Sequence, residues 1–172
     1  IGFSEKVASL VGYDYTFFPG AHCVIVAGEA QYSIGTMGKV TAGLDALSPS
    51  DGNAGREFYK RRVKDVPEMI ESGYSAAGVQ TGYRTIVEAI TVKDNPAAVN
   101  GRSPTTAIME EVGINPFLKA TYGQLEPAMK ERGLLDGRII VFIGTGGLME
   151  KGVQQYKEMF YNPEKFNLLA VD

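Results

Sequence analysis

The chain has 172 residues and a formal net charge of -3, which fits one domain able to bury a sizeable core. Hydrophobic residues make up 44% and charged residues 22%, so wholesale disorder and a globally basic nucleic-acid binder are both excluded. No apolar run approaches the roughly 20 residues of a membrane helix, and the single cysteine, Cys23, excludes an intramolecular disulfide and a cysteine-based zinc site.

The first half of the chain is predicted to begin with a helix over residues 4–11, which ends at Gly12. A short β-rich apolar run at residues 23–27 predicts a buried strand. Apolar residues at helical spacing indicate a second helix over residues 31–47, although three glycines weaken this pattern. Residues 48–55 are predicted to form a loop, and the charged residues 57–72 a helix interrupted near Pro67.

The second half of the chain continues with a predicted strand over residues 85–92 and a loop over 93–103. A strand at residues 105–109, a helix at 122–132 closed by Gly133, a buried strand at 138–143 and a last strand at 166–171 are predicted to follow. Because short apolar strands alternate with helices, the predicted fold class is α/β, with a mostly parallel sheet flanked by helices.

Polar or glycine-rich segments occur at a helix start and at two strand ends, where the ligands of parallel α/β sheets bind. Ser4, Glu110 and Thr145 of these segments are therefore expected to cluster near one edge of the sheet. The first segment, Gly2-Phe3-Ser4, matches the end of the phosphate loop Gly-x-x-x-x-Gly-Lys-Ser/Thr, in which backbone amides hold phosphates and the hydroxyl binds magnesium. Phe3 stands in the lysine position of that motif. The alternative interpretation is that Ser4 is an ordinary helix N-cap.

The second segment is the apolar strand that ends in Glu110 and Glu111. In a Walker B element, which ends in acids in the same way, one acid holds magnesium and the next polarises the attacking water. Adjacent carboxylates repel each other, so a pair at a strand end is costly unless a cation lies nearby. The alternative is a solvated helix start, where acids interact favourably with the helix dipole.

The third segment is the strand at residues 138–143 that runs into Gly144, Thr145, Gly146 and Gly147. Glycines let the backbone approach a ligand closely, and the Thr145 hydroxyl would then sense the γ-phosphate of a nucleotide. A plain tight turn is the alternative interpretation of this segment.

Basic residues supply further candidates. The cluster of Lys and Arg at residues 60–64 would contact DNA phosphates, or it forms a solvated helix face balanced by nearby acids. Arg84 and Arg102 are candidate arginine fingers, since a cation near the γ-phosphate stabilises the transition state, and structural roles are the alternative. Arg102 precedes the strand that ends at Glu110, so as a finger it would serve a neighbouring subunit.

Taken together, these segments resemble the ATPase domain of large terminase subunits from tailed phages. Residues 101–113 (GRSPTTAIMEEVG) are similar to the Walker B region of that family. Residues 144–147 (GTGG), followed by YNP at 161–163, are similar to the segment after the next strand and are the most specific part of the resemblance. The resemblance covers nearly the whole chain, with its elements in the expected order.

The resemblance implies a P-loop NTPase of the ASCE type that uses ATP and Mg²⁺. By position, Gly2 and Ser4 fall in Walker A, with Ser4 as the magnesium-binding hydroxyl. Glu110 takes the place of the metal-side acid and Glu111 that of the water-activating glutamate, while Thr145 falls in the motif that couples nucleotide state to movement. Asp is usual where Glu110 stands, so at this position the sequence departs from the family's pattern by carrying a longer acidic side chain.

The resemblance also implies an activity, a location and partners. The expected activity is translocation of double-stranded viral DNA into a capsid in the host cytoplasm, with a portal or procapsid, a small terminase subunit and a homo-oligomeric ring as partners. Residues 1–172 are expected to form a partial motor domain that starts inside the phosphate loop, lacks the nuclease domain and binds ATP weakly alone. The alternatives are another ASCE ATPase, helicase-like or a DNA translocase, and a non-catalytic α/β assembly module.

Overall fold

The computed structural model describes residues 2–47, 62–130, 137–144 and 153–169. The α-helices are α1 (Phe3–Phe17), α2 (Ala30–Leu47), α3 (Leu118–Met129) and α4 (Val153–Tyr161). The strands are β1 (His22–Ala27), β2 (Arg62–Val66), β3 (Met69–Ser72), β4 (Tyr74–Ala76), β5 (Val79–Thr81), β6 (Ile86–Thr91), β7 (Thr106–Glu110) and β8 (Ile139–Phe142). Short 3-10 helices occupy Pro96–Val99, Val112–Ile114 and Pro163–Phe166. In these ranges no helix is long and apolar enough to cross a membrane.

Six strands form one sheet in the order β2-β3-β6-β1-β7-β8, and β4 and β5 form a separate hairpin. Strands β6, β1, β7 and β8 are parallel, whereas β3 pairs antiparallel with β6 and β2 antiparallel with β3. The sheet is therefore mixed, with a parallel majority and an antiparallel hairpin at one side. The predicted α/β class with a mostly parallel sheet is confirmed.

The core lies on both faces of the sheet, and β1 shows why. Side chains alternate between faces along a strand, so Cys23 and Ile25 of β1 pack with α1 and α2 while Val24 and Val26 pack with α3 and α4. All four side chains are fully buried. A strand covered on both faces needs an unbroken apolar sequence, and this explains the run at residues 23–27.

The prediction of a helix over residues 57–72 is wrong where the structure describes it. Residues 62–66 and 69–72 are the two strands of an antiparallel hairpin, and residues 57–61 lie outside the described ranges. Burial alternates along β3, with Ile70 and Ser72 buried, as expected for a strand with one face on the core. The charged residues suggested a helix, but pairing of β3 with β6 through Ile70 and Val87 determines the structure.

Other boundaries also differ from the sequence predictions. Helix α1 continues to Phe17 through Gly12, and α3 begins at Leu118 and ends at Met129, with Gly133 outside the described ranges. Strand β8 exists as predicted but is only partly buried, because it is the last strand at its side of the described sheet. The predicted strand at 166–171 is absent from its described part, residues 166–169. Helix α4 and the hairpin β4–β5 were not predicted.

Candidate active site

The carboxyl ends of the parallel strands form the edge where the candidate residues meet. In the strand registers, Ala27 at the end of β1 lies between Thr91 of β6 and Glu110 of β7. Helix α2 begins three residues after β1 ends, and the first turn of α1 reaches the end of β7 through a contact between Ser4 and Glu110. Two helix starts and three strand ends are thus gathered in one place.

Glu110 is the buried acid of this edge, with 5% of its surface exposed. Its Oε1 atom accepts a hydrogen bond of 2.5 Å from Ser4 Oγ and one of 2.9 Å from Thr36 Oγ1. Its Oε2 atom is buried and has no hydrogen-bond partner among the residues that the structure describes. A buried carboxylate oxygen without a partner is costly, and a divalent cation with oxygen ligands would satisfy it. The alternative of a solvated helix start is therefore wrong for Glu110.

Ser4 lies in the first turn of α1, and its hydroxyl does not cap the helix. The N-cap residue is Gly2, which makes no side-chain capping bond, while Ser4 Oγ donates to Glu110 instead. The interpretation of Ser4 as an ordinary N-cap is wrong. The predicted proximity of Ser4 and Glu110, which lie 106 positions apart in the chain, is confirmed, whereas Thr145 lies outside the described ranges.

Glu111 adopts a left-handed backbone conformation, with φ at 46° and ψ at 51°, and precedes the 3-10 helix Val112–Ile114. This conformation is uncommon for a residue other than glycine. It reverses the chain at the end of β7, so that the backbone NH of Val112 donates to Ile143 O at 3.1 Å. Glu111 is partly exposed beside the buried Glu110, so the two acids occupy different environments.

Gly144 follows β8 and packs directly on the backbone of the two residues after Glu110. A Cβ atom at this position would lie 2.8 Å from Val112 N and 3.2 Å from Glu111 Cα. These are backbone atoms, which cannot move aside as a flexible side chain can. A glycine is therefore required here by the close approach of the two segments.

We expect Gly144→Ala to destabilise the protein by about 1–3 kcal/mol, the usual cost of inserting volume into a packed site. It should also displace Glu111. Thermal unfolding followed by circular dichroism would measure the loss. Gly43→Ala is the matched control, because a Cβ atom on Gly43 of α2 meets nothing within 4 Å. Equal unfolding temperatures for Gly144→Ala and Gly43→Ala would contradict this prediction.

A cavity of about 830 Å³ opens beside these residues. It is lined by Ser4, Glu110, Glu111 and Gly144, and by largely apolar side chains of β8, α3 and α4. Clefts of several hundred Å³ with a few polar groups among apolar walls are typical of small-molecule sites. The cavity is large enough to take a small-molecule ligand beside the two acids.

Thr36 is a site residue that the sequence analysis missed. It lies on the buried face of α2 and is 2% exposed, and its hydroxyl donates to Glu110. Ser33, one turn earlier, approaches Thr91 with its hydroxyl at 3.3 Å. The available signal was a pair of hydroxyl residues at i and i+3 in the same helical stripe as Met37 and Val40. Buried polar groups need partners, so this pair pointed to a polar surface opposite α2.

The two candidate arginine fingers lie at the other end of the strands. Arg84 precedes β6 and Arg102 precedes β7, whereas Glu110 ends β7. With about 3.3 Å per residue, a six-residue strand such as β1 separates the two ends by about 17 Å. Arg102 donates from Nε to Glu88 Oε2 and from Nη1 to Ala98 O at 2.8 Å, which favours its structural interpretation.

Glu88 lies between two basic side chains at this amino end. His22 and Arg102 lower its pKa from 4.5 to about 2, although burial opposes them. Arg102 is the closer partner, because its Nε bonds Glu88 directly while His22 Nε2 lies 3.8 Å away. A depressed folded-state pKa means that ionised Glu88 stabilises the fold above about pH 4.5, and that this stabilisation disappears toward pH 2.

We therefore expect Glu88→Gln to lower the unfolding temperature at pH 7, and the difference from wild type to shrink as pH falls from 4.5 to about 2. Thermal unfolding measured across this pH range would test it. Glu68→Gln, at an exposed position next to β3, is the control and should behave as wild type at every pH. A difference that persists unchanged at pH 2 would contradict the assigned role.

The basic cluster at residues 60–64 is described only in part. Arg62 belongs to β2, and its guanidinium bonds Asp45 at 2.5 Å and Asp65 at 3.0 Å. Only 10% of its side chain is exposed, so Arg62 is an ion-paired structural residue. Residues 60 and 61 lie outside the described ranges.

These elements define an α/β fold in which a helix start and an acidic strand end meet beside a cavity. The solved structures that it matches include two ATPase domains of a phage large terminase and one phage large terminase. The Thermus phage P74-26 large terminase ATPase domain matches with a TM-score of 0.59 and 17% identity, over 91% of this chain and 59% of that chain. A mutant of the same domain matches with the same TM-score and 16% identity.

The HK97 bacteriophage large terminase matches with a TM-score of 0.55 and 11% identity, over 99% of this chain and 33% of that chain. The chain thus spans 59% of the length of the Thermus phage domain. No family model and no curated protein sequence matches the chain. At these identities the matches confirm the fold: the chain has the fold of a phage large terminase ATPase domain.

Proposed function

We propose that this chain is the ATPase domain of a phage terminase large subunit, and that it hydrolyses ATP to move double-stranded DNA into a capsid. The observation that carries the proposal is the contact between Ser4 and Glu110, at the carboxyl edge of a sheet with the terminase ATPase fold. A hydroxyl from a helix start and an acid from a strand end are the protein ligands that a P-loop ATPase gives to magnesium.

The proposed roles follow from the two environments of the acids. Ser4 and the buried Glu110 would hold Mg²⁺, which would supply positive charge beside the nucleotide phosphates. Glu111, partly exposed beside the cavity, orients a water molecule and accepts its proton during attack on the γ-phosphate. Gly2 at the N-cap of α1 and Thr145 after β8 are proposed to contact the nucleotide. Double-stranded DNA, a portal or procapsid, a small terminase subunit and further copies in a ring are the proposed partners.

The substitution of Glu for the usual Asp at position 110 fits this arrangement. A glutamate has one more rotatable bond, and its carboxylate is less well fixed unless other groups hold it. Here two hydroxyls from different helices bond the same carboxylate oxygen. Among the described residues no group of three His, Cys, Asp or Glu side chains is placed to hold a metal, so nucleotide phosphates and water would complete the coordination shell.

The experiment that tests the proposal is steady-state ATP hydrolysis by the full-length protein, measured with and without linear double-stranded DNA. We expect Mg²⁺-dependent hydrolysis that double-stranded DNA stimulates. Stimulation by single-stranded DNA alone would favour a helicase-like ATPase. Absence of nucleotide binding and hydrolysis would favour the assembly module and contradict the proposal.

A further inference from the structure

Thr36 is one of two buried hydroxyl residues on the face of α2 that packs in the core. It follows Ser33 by one turn of α2 and precedes Met37 and Val40, which pack in the core. Its hydroxyl donates to Oε1 of Glu110 at 2.9 Å, and both side chains are buried. A hydrogen bond to a charged acceptor is stronger than one between neutral groups, so this contact constrains the acid.

The contact acts on one oxygen of the carboxylate. Ser4 Oγ and Thr36 Oγ1 both donate to Oε1, from α1 and α2 respectively, whereas Oε2 is buried and no described residue forms a hydrogen bond with it. Two donors on Oε1 oppose the rotation about the last side-chain bond that would exchange the two oxygens. The unsatisfied Oε2 is therefore held in a defined direction.

We propose that Thr36 is a positioning residue for the metal site: its hydroxyl anchors Oε1 of Glu110 so that Oε2 is presented to a divalent cation. This inference rests on the proposed function, because it assigns the cation site to Glu110. Thr36 itself does not touch the cation or the nucleotide. A neutral donor suits this role, since it holds the carboxylate without competing with the cation for its charge.

Helix α2, which carries Thr36, is itself held against the strand ends. Ser33 Oγ lies 3.3 Å from Thr91 Oγ1 at the end of β6, so α2 contacts two strand ends through successive turns. Ser4 alone would be a weaker anchor, because its oxygen is also a proposed ligand of the cation. The hydroxyl of Thr36 is not a proposed cation ligand, so it can hold Oε1 of Glu110 in place whether or not the cation is bound.

The test is Mn²⁺ binding to the full-length protein, with the metal alone as the probe and electron paramagnetic resonance as the measurement. Thr36→Val removes the hydroxyl but keeps the shape of the side chain. We expect it to weaken Mn²⁺ binding by about 10-fold or more, the usual effect of losing a group that orients a metal ligand. Thr36→Ser restores the donor and should bind Mn²⁺ close to wild type.

Thr41→Val is the matched control, since it makes the same substitution in α2 at a hydroxyl whose partner in the described part of the chain is Gly38 O of the same helix. It should leave Mn²⁺ affinity unchanged. In ATPase assays, Thr36→Val should raise the Mg²⁺ concentration needed for half-maximal activity while kcat recovers at high Mg²⁺. A role confined to folding would lower the unfolding temperature without this Mg²⁺ dependence.

Three results would overturn the inference. The first is equal Mn²⁺ affinity of Thr36→Val and Thr41→Val, which leaves the proposed ATPase function standing. The second is a wild-type protein that binds no Mn²⁺, which removes the cation site as well. The third is a Thr36→Ser variant as weak as Thr36→Val. If Val is not tolerated at this position, Thr36→Ala takes its place. Conversely, Thr36-dependent Mn²⁺ binding without DNA-stimulated ATP hydrolysis would support the inference while contradicting the terminase proposal.

Discussion

Glu111→Gln in the full-length protein is expected to reduce ATP turnover by about 10²- to 10⁴-fold, the usual loss when a general base is removed. Glutamine keeps the size of glutamate but cannot accept a proton or hold the negative charge that orients water. Because Glu111 is partly exposed and follows the buried Glu110, its replacement should leave nucleotide binding largely intact.

The measurements are kcat from steady-state ATP hydrolysis and nucleotide affinity from calorimetry, each at saturating Mg²⁺. Glu164→Gln is a suitable control, because Glu164 is an exposed acid on the 3-10 helix Pro163–Phe166. It should turn over ATP as wild type does. Unchanged turnover in Glu111→Gln would show that Glu111 is an ordinary solvated acid and would remove the chemical basis of the proposed hydrolysis.

Glu110→Gln is expected to fail in a different way, by weakening Mg²⁺ binding. The amide oxygen of glutamine can still accept hydrogen bonds from Ser4 and Thr36, but an NH₂ group then stands where Oε2 stood. That group is a donor and repels a cation. The Mg²⁺ concentration for half-maximal activity should rise by roughly one to two orders of magnitude, the scale of loss seen even for groups that only support a metal ligand.

The measurement is ATP hydrolysis against Mg²⁺ concentration for both variants. Excess Mg²⁺ should partly restore Glu110→Gln and leave Glu111→Gln inactive. The opposite pattern would mean that the two acids have exchanged roles. Spacing in the sequence cannot decide which of two adjacent acids holds the metal and which activates water. The structure gives a physical reason for the assignment, because Glu110 accepts a hydrogen bond from the Ser4 hydroxyl.

The parts of the fold that could be predicted from the sequence are those with an unambiguous local pattern. The apolar run of β1 indicates a strand that is buried on both faces of a sheet. The apolar stripe of α2 indicates a helix that is buried on one face. The hairpin β2–β3 could not be predicted in this way, because its charged residues fit a helix until Ile70 pairs with Val87 of β6. Long-range pairing of this kind overrides local propensity.

The residues of the candidate site likewise differ in whether a local sequence pattern could predict them. Ser4, Glu110 and Glu111 could be singled out because each stands next to a recognisable helix start or strand end. Thr36 could not, since its partner lies 74 positions away and no short motif contains it. The requirement for glycine at position 144 likewise appears only when the end of β8 meets the backbone of Val112.

The central position of β1 has a consequence for how the protein folds. Its two neighbours in the sheet, β6 and β7, come much later in the chain, and His22 bonds Thr105 across 83 positions. Contacts between such distant residues form slowly, because a long loop must close before any pairing energy is gained. During synthesis on the ribosome this central, apolar strand is therefore made early and stays unpaired until β6 and β7 follow. An unpaired strand edge of this kind favours aggregation, so slow synthesis at low temperature and early chaperone binding should raise the yield of native protein.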